Sequence, residues 1–148
     1  MSKTSPPPAG LRDFSMVEFP HAHAIGLQLV EEADGALTVV VPYDERLIGD
    51  PATGVIHGGV VTTALDTGCG VASMIKKGGG ASVATLDLRI DYMRPSKPGM
   101  AIKARCECYR VTRSVAFARG VAYDDDISDP VATAAGAFMI ARPPEPGE

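Results

Sequence analysis

The chain has 148 residues, 45% of them hydrophobic, and a net charge of −4 at pH 7. That is the length of one domain with room for a real core. The acidic balance, without a basic stripe or aromatic-basic interleaving, gives no reason to expect a nucleic-acid partner, and no run approaches the ~20 apolar residues of a membrane-spanning helix.

Residues 1–10, rich in Ser and Pro, read as a disordered N-terminal tail, residues 11–142 as one domain, and residues 143–148 as a loose C-terminal tail. A short helix is expected between Leu11 and Ala24. Residues 25–32 and 36–41 read as two strands joined by the hairpin turn Ala33-Asp34-Gly35. Residues 43–53, with Gly49, Asp50 and Pro51, read as a loop. A long helix is predicted from about Gly58 to Lys76, ended by Gly78-Gly79-Gly80.

Four strands are expected after it. Ala84, Leu86, Leu88, Ile90 and Tyr92 alternate with Thr85, Asp87, Arg89 and Asp91, a period of two that puts the first set on one face. Arg94 to Gly99 turns the chain into a second alternating run from Met100 to Cys108. Residues 114–123 and 131–141 form the last pair, joined by the acidic loop Asp124–Pro130. The small residues Ala116, Ala118, Gly120 and Ala122, with Ala132, Ala134 and Gly136, let a helix lie close on one face of these strands. One long helix and six strands joined mostly by tight turns predict an α+β fold, an antiparallel β-sheet wrapped around one central helix. Cys69, Cys106 and Cys108 lack CxxC spacing and read as reduced, buried thiols of a cytoplasmic protein.

The chemistry concentrates in the long helix. From Val55 to Ile75 the only ionisable carboxylate or cation is Asp66, so the helix is expected to be enclosed nearly all round. On a helical wheel Val60, Val61, Ala64, Leu65, Gly68, Val71, Ala72 and Ile75 share one arc. Asp66 lies roughly opposite, beside Thr62, Thr63, Gly70 and Ser73, on a face that suits a cleft or an interface. Gly68 and Gly70 would admit a second backbone, such as that of another subunit. Free amides at Gly58 and Gly59 attract developing negative charge. Asp66 follows two turns later, about 10–12 Å along the axis. An extended substrate crossing the helix would meet the amides through its carbonyl and the acid through an attacking water. Burial would raise the Asp66 pKa and suit it to general-base work. A cap-forming Gly-Gly pair and a structurally bonded Asp are the alternative reading of the same residues.

The run Gly54-Val55-Ile56-His57-Gly58-Gly59, with Asp66 nine residues after the His, resembles the hotdog-fold thioesterases of the phenylacetate-degradation type. The strand Thr85-Leu86-Asp87-Leu88-Arg89-Ile90-Asp91-Tyr92-Met93-Arg94-Pro95 resembles the family's strand after its central helix, and the likeness covers roughly residues 25–141. The resemblance implies a hotdog fold, a homodimer or a dimer of dimers, and hydrolysis of an acyl-CoA to a free carboxylic acid and coenzyme A. It implies no cofactor beyond the coenzyme A of the substrate; His21 and His23 have no evident third ligand, so no metal is expected, and the lack of a membrane-length apolar run leaves no membrane partner expected. In catalysis, it makes Asp66 the general base or nucleophile. The Gly59 amide, with Gly58, would receive the thioester oxygen, and Thr85 of the partner chain would orient the water or the acid. It makes His57 a group that holds the loop. Relatives often carry Asn shortly before the HGG run, where this chain has Asp50 or Pro51. An acid there would either raise the Asp66 pKa further or point to solvent. Arg94 and Lys97 are candidates for the coenzyme A phosphates. Two rival functions share the fold: an acyl-CoA-binding sensor without hydrolysis, and an enoyl-CoA hydratase. The hydratase would want a His beside the acid rather than at the helix mouth.

Overall fold

The computed structural model describes residues 19–31, 35–78 and 81–141. Both expected tails, the Ala33-Asp34 part of the first turn and Gly79-Gly80 lie outside these residues. In chain order the elements are α1 (Pro20–Ala24), β1 (Gln28–Glu31), β2 (Leu37–Val41), a 3-10 turn (Glu45–Leu47), β3 (Ile48–Asp50), β4 (Val55–Ile56), α2 (Gly58–Lys76), β5 (Ser82–Tyr92), β6 (Ile102–Val111), β7 (Val115–Tyr123) and β8 (Ala132–Ala141). The segment expected to be a plain loop therefore contains a 3-10 turn and half of a small β3–β4 hairpin. Asp50 closes that hairpin: its carboxylate accepts from the Ala52 amide at 2.9 Å and the Thr53 hydroxyl at 3.0 Å.

Six strands form one antiparallel sheet in the order β1-β2-β6-β7-β8-β5. The sheet wraps α2, which packs on β2, β5, β6, β7 and β8. The predicted helical arc is buried except at Ile75, which is half-buried. The small residues do what their size suggests: Ala116, Ala118, Gly120, Ala122, Ala132, Ala134 and Gly136 are all buried. A Cβ on Gly68 would sit 2.6 Å from Cys106 Sγ, and one on Gly120 would sit 3.0 Å from Leu65 Cδ2. Helix and sheet thus approach so closely at these two points that a side chain at either would have to displace a neighbour. Gly68 therefore faces the chain's own sheet, and Gly70 faces Val83 and Phe138. Neither is turned to a second subunit, because the wrapped sheet already occupies that side. The three cysteines are free and buried.

The strand β5 departs from the single alternation read in the sequence. Its ladder with β8 runs Val83↔Ile140 and Thr85↔Phe138, then shifts register, and resumes at Asp87↔Ala137 and Leu88↔Gly136. Leu86 is left without a partner, as the extra residue of a β-bulge. The inner face of β5 consequently holds odd positions before the bulge and even positions after it. Val83 packs on the core on one side and Leu88 and Ile90 on the other, while Leu86 is 57% exposed. No helix of the described residues is long and apolar enough to cross a membrane.

Candidate functional site

The first turn of α2 is built by its own cap. His57 is the N-cap, and its Nδ1 accepts from the Gly59 amide at 2.8 Å. An accepting Nδ1 leaves the proton on Nε2 in the neutral ring. The His57 amide is itself tied to the Leu47 carbonyl at 2.9 Å, so the 3-10 turn holds the loop that carries the cap. His57 thus joins the loop, through its main-chain amide, to the helix start, through its ring. The ring engages the Gly59 amide, which the sequence reading kept free for a ligand. The Gly58 amide, first in the helix, precedes any intrahelical acceptor.

Tyr92 converges on the same turn from the far end of β5. Its hydroxyl donates to the Gly58 carbonyl at 3.1 Å and is hydrogen-bonded to Thr62 Oγ1. The sequence places Tyr92 on the alternating face of its strand and gives it no role at the site. Its signal was position: it follows Leu88 and Ile90 at a spacing of two, so it shares their inward face, and it stands where the strand reaches the helix start.

Asp66 lies on a polar stripe with Thr62, Thr63 and Thr67, all half-buried. The stripe is lined with hydroxyls: Thr63 Oγ1 donates to the Gly59 carbonyl at 2.9 Å, and Thr62 Oγ1 gives its proton to the Tyr92 hydroxyl, which donates onward to the Gly58 carbonyl. Within one chain the sheet covers only the opposite arc, so α2 is enclosed on that side and half-buried along the stripe. Asp66 Oδ1 accepts from Thr85 Oγ1 at 2.7 Å. This contact is made inside a single chain, so the expectation that Thr85 arrives from a partner is corrected. The β5 strand belongs to the sheet that packs on α2, and its pairing of Thr85 with the buried Phe138 puts Thr85 on the helix side. The hydroxyl donates to one carboxylate oxygen, and among the described residues none donates to the other.

Three other candidates are drawn elsewhere. Both carboxylate oxygens of Asp50 are engaged in its own turn, and no contact joins it to Asp66. Arg94 donates to Asp124 through Nη1 at 2.9 Å and Nη2 at 2.7 Å, and to the Asp129 carbonyl at 2.8 Å. Asp124 also receives the Lys97 amide at 2.8 Å and the Asp125 amide at 2.7 Å. The Arg94 guanidinium, helped by these amides, holds the buried Asp124 carboxyl well below the usual carboxylate range against the opposing effect of burial. Arg94 is pushed up in return, chiefly by its hydrogen bonds to Asp124. It is a clasp between the β5–β6 and β7–β8 connections rather than a free cation awaiting phosphate. The Lys97 ammonium is half-exposed and 3.4 Å from Asp125.

Two clefts flank the start of α2. One, of about 410 Å³, is lined by Ile25, Leu47, Val60, His57, Gly59 and Thr63. The other, of about 400 Å³, is lined by Ile56, Gly58, Val61, Tyr92, Met93 and Ser96, among others. Each is mostly apolar with a few polar groups, which is the character of a small-molecule site. Chemically the stripe offers a half-buried carboxylate steadied by a hydroxyl, with helix amides about two turns away.

Comparison with known proteins assigns the family. The sequence matches the thioesterase superfamily over residues 53–131. It is 32% identical, over 80% of this chain and 82% of the other, to a protein of Halobacterium salinarum provisionally named an esterase. It is 28% identical, over 82% and 85%, to the medium/long-chain acyl-CoA thioesterase YigI of Salmonella typhimurium. A crystal structure of a Pseudomonas aeruginosa protein superposes with a TM-score of 0.75 at 44% identity, over 84% of this chain and 92% of that one.

Proposed function

The chain belongs to the thioesterase superfamily and is an acyl-CoA thioesterase of the hotdog fold, and we propose that it works through Asp66 as a general base with Thr85 orienting the carboxylate. The observation that carries this reading is the 2.7 Å Thr85–Asp66 bond on the one polar stripe of α2. The thioester carbonyl oxygen is received at the first turn of α2. The Gly58 amide donates to it, and the Gly59 amide joins when it exchanges its bond to His57 Nδ1 for one to the ligand. A water between the carbonyl carbon and Asp66 gives its proton to the carboxylate as its oxygen attacks. The tetrahedral oxyanion is held by the amides, the carbon–sulfur bond breaks, and the proton passes to the departing thiolate. The axial rise of roughly 10 Å from Gly59 to Asp66 suits an intervening water better than direct attack by the carboxylate. A single donor of this kind contributes on the order of 10²–10³ in rate.

The chemistry asks for no cofactor besides the coenzyme A of the substrate. The buried reduced thiols suit the cytoplasm, where disulfides are rare.

A homodimer completes the site in this reading. The edge strand β5 is 11 residues long and carries Leu86 at 57% exposure, with Tyr92 and Met93 at its end at 52% and 56%. A long, exposed, partly apolar edge is a template for pairing. Two copies of β5 paired about a two-fold axis satisfy it isologously and cover the polar stripe of α2. The opposite edge, β1, has four residues among those described. Lys97, half-exposed at the end of this face, is one candidate for the coenzyme A phosphates.

The test is thiol release from acyl-CoA esters of short, medium, long and aryl acyl groups by the native chain and Asp66→Asn. The variant should fold, bind coenzyme A and lose turnover by orders of magnitude. Undiminished hydrolysis by Asp66→Asn would overturn the mechanism. Binding without release in the native chain would make this member a sensor, and enoyl absorbance change without thiol release a hydratase.

A further inference from the structure

We propose that the β-bulge at Leu86, made possible by Gly136 on the neighbouring strand, is the device that aims Thr85 at Asp66, and that Gly136 is a positioning residue for hydrolysis. The inference rests on the proposed roles of Asp66 and Thr85.

Three observations meet here. First, the register shift between Thr85 and Asp87 leaves Leu86 as the extra residue. Second, the parity of the inner face changes across it, from Val83 and Thr85 to Leu88, Ile90 and Tyr92. Val83 lies against Gly70 of α2, Thr85 bonds Asp66, and Tyr92 bonds the first turn. With the same sequence in an unbroken ladder, the face that holds Leu88 would take Leu86 and Ala84. Thr85 would then stand on the outer surface, because a one-residue slip sends a strand's side chains to the opposite face. The bulge is therefore what lets one strand present Thr85 and Tyr92 to the same helix.

Third, the bulge needs space on β8, and Gly136 supplies it. A Cβ at Gly136 would lie 2.6 Å from the Asp87 carbonyl oxygen, a backbone atom of the bulge, and 3.0 Å from Leu88 Cδ1. The Leu88 side chain can rotate away, whereas the Asp87 carbonyl cannot move without taking the bulge along. Thr85 is two residues from that carbonyl. A side chain at 136 thus acts on Asp66 through Asp87 and Thr85 without touching either reacting group. Displacements of about 1 Å at a catalytic group cost on the order of 10²-fold in rate.

The experiment is a double-mutant cycle on thiol release in the full chain, with thermal unfolding alongside. Gly136→Ala is expected to lower kcat about 10- to 100-fold with KM within about threefold. In a Thr85→Val background it should lower kcat less than about threefold further, because the group it displaces is already gone. Gly120→Ala serves as the control. It crowds the same sheet face at Cys106 and Leu65, 3.0 Å from each, but away from the bulge. It should lower stability without a selective loss of kcat. Deletion of Leu86 closes the bulge and leaves Thr85 facing inward. In that background Gly136→Ala should cost little in melting temperature, since the Asp87 carbonyl no longer leans toward position 136. This last comparison holds even if Gly136→Ala alone fails to fold. Native turnover in Gly136→Ala, additive losses with Thr85→Val, or equal destabilisation with and without Leu86 would each overturn the proposal. None of these outcomes would touch the thioesterase reading, which the native chain tests by itself.

Discussion

Replacing Asp124 tests whether the β5–β6 connection is held structurally or kept free for substrate. The Asp124 side chain is fully buried, and that of Arg94 is 22% exposed. Asp124→Ala removes the acceptor for two guanidinium hydrogens and two backbone amides, at 2.7 to 2.9 Å. Removing one partner of a buried pair costs roughly 3–5 kcal/mol. Access of water to Arg94 from its exposed side argues for the lower end, about 3 kcal/mol. For a chain of this size that corresponds to a fall in melting temperature of very roughly 6–12 °C. Urea and thermal unfolding by circular dichroism measure it, and thiol release reports KM for acyl-CoA in parallel. The pH dependence follows from the direction of the shift. The folded carboxyl titrates below the unfolded value of about 3.9, so its stabilisation is complete above that pH and is lost as pH falls towards the folded pKa. Asp124→Ala should flatten the acid limb of the stability profile in that window. A stability change under about 0.5 kcal/mol, or a large rise in KM from Arg94→Met with unfolding unchanged, would refute the clasp and return Arg94 to the substrate.

Other outcomes follow from the same geometry. Thr85→Val removes one hydrogen bond to a carboxylate, worth about 1.5–3 kcal/mol, so kcat should fall about 10- to 150-fold; unchanged kcat would separate Thr85 from the chemistry. His57→Ala removes the side-chain cap on the Gly59 amide and should cost about 1 kcal/mol in unfolding, which denaturant titration reads directly. Gly68→Ala places a Cβ 2.6 Å from Cys106 Sγ and should destabilise by about 1–3 kcal/mol, largely recovered by adding Cys106→Ala; no recovery would mean that the crowding lies elsewhere. Lysines at both Leu86 and Met93 should dissociate the dimer in sedimentation at neutral pH, and a mass unchanged from the native assembly would move the interface away from β5.

The hydrophobic periodicities were enough to determine the central helix, the four strands after it and the two before it, because one-sided burial writes a period of 3.6 or 2 into the residues. They also determined that Asp66 is the singular charge on that helix and that small residues mark its contact with the sheet. Tertiary structure alone decided the rest. The small β3–β4 hairpin carries no periodicity long enough to read, since its strands are three and two residues long. Nothing local distinguishes Arg94 from a free cation, because Asp124 lies 30 residues away in the chain. The engagement of the Gly59 amide by His57 depends on how a side chain turns at one cap. Above all, Ala84 to Tyr92 reads as one unbroken alternation, and that reading puts Thr85 on the wrong face. A bulge leaves no mark on the strand that contains it. Its requirement falls on Gly136, 50 residues beyond Leu86, where only the folded ladder brings the Asp87 carbonyl to within 2.6 Å of the place a side chain would occupy.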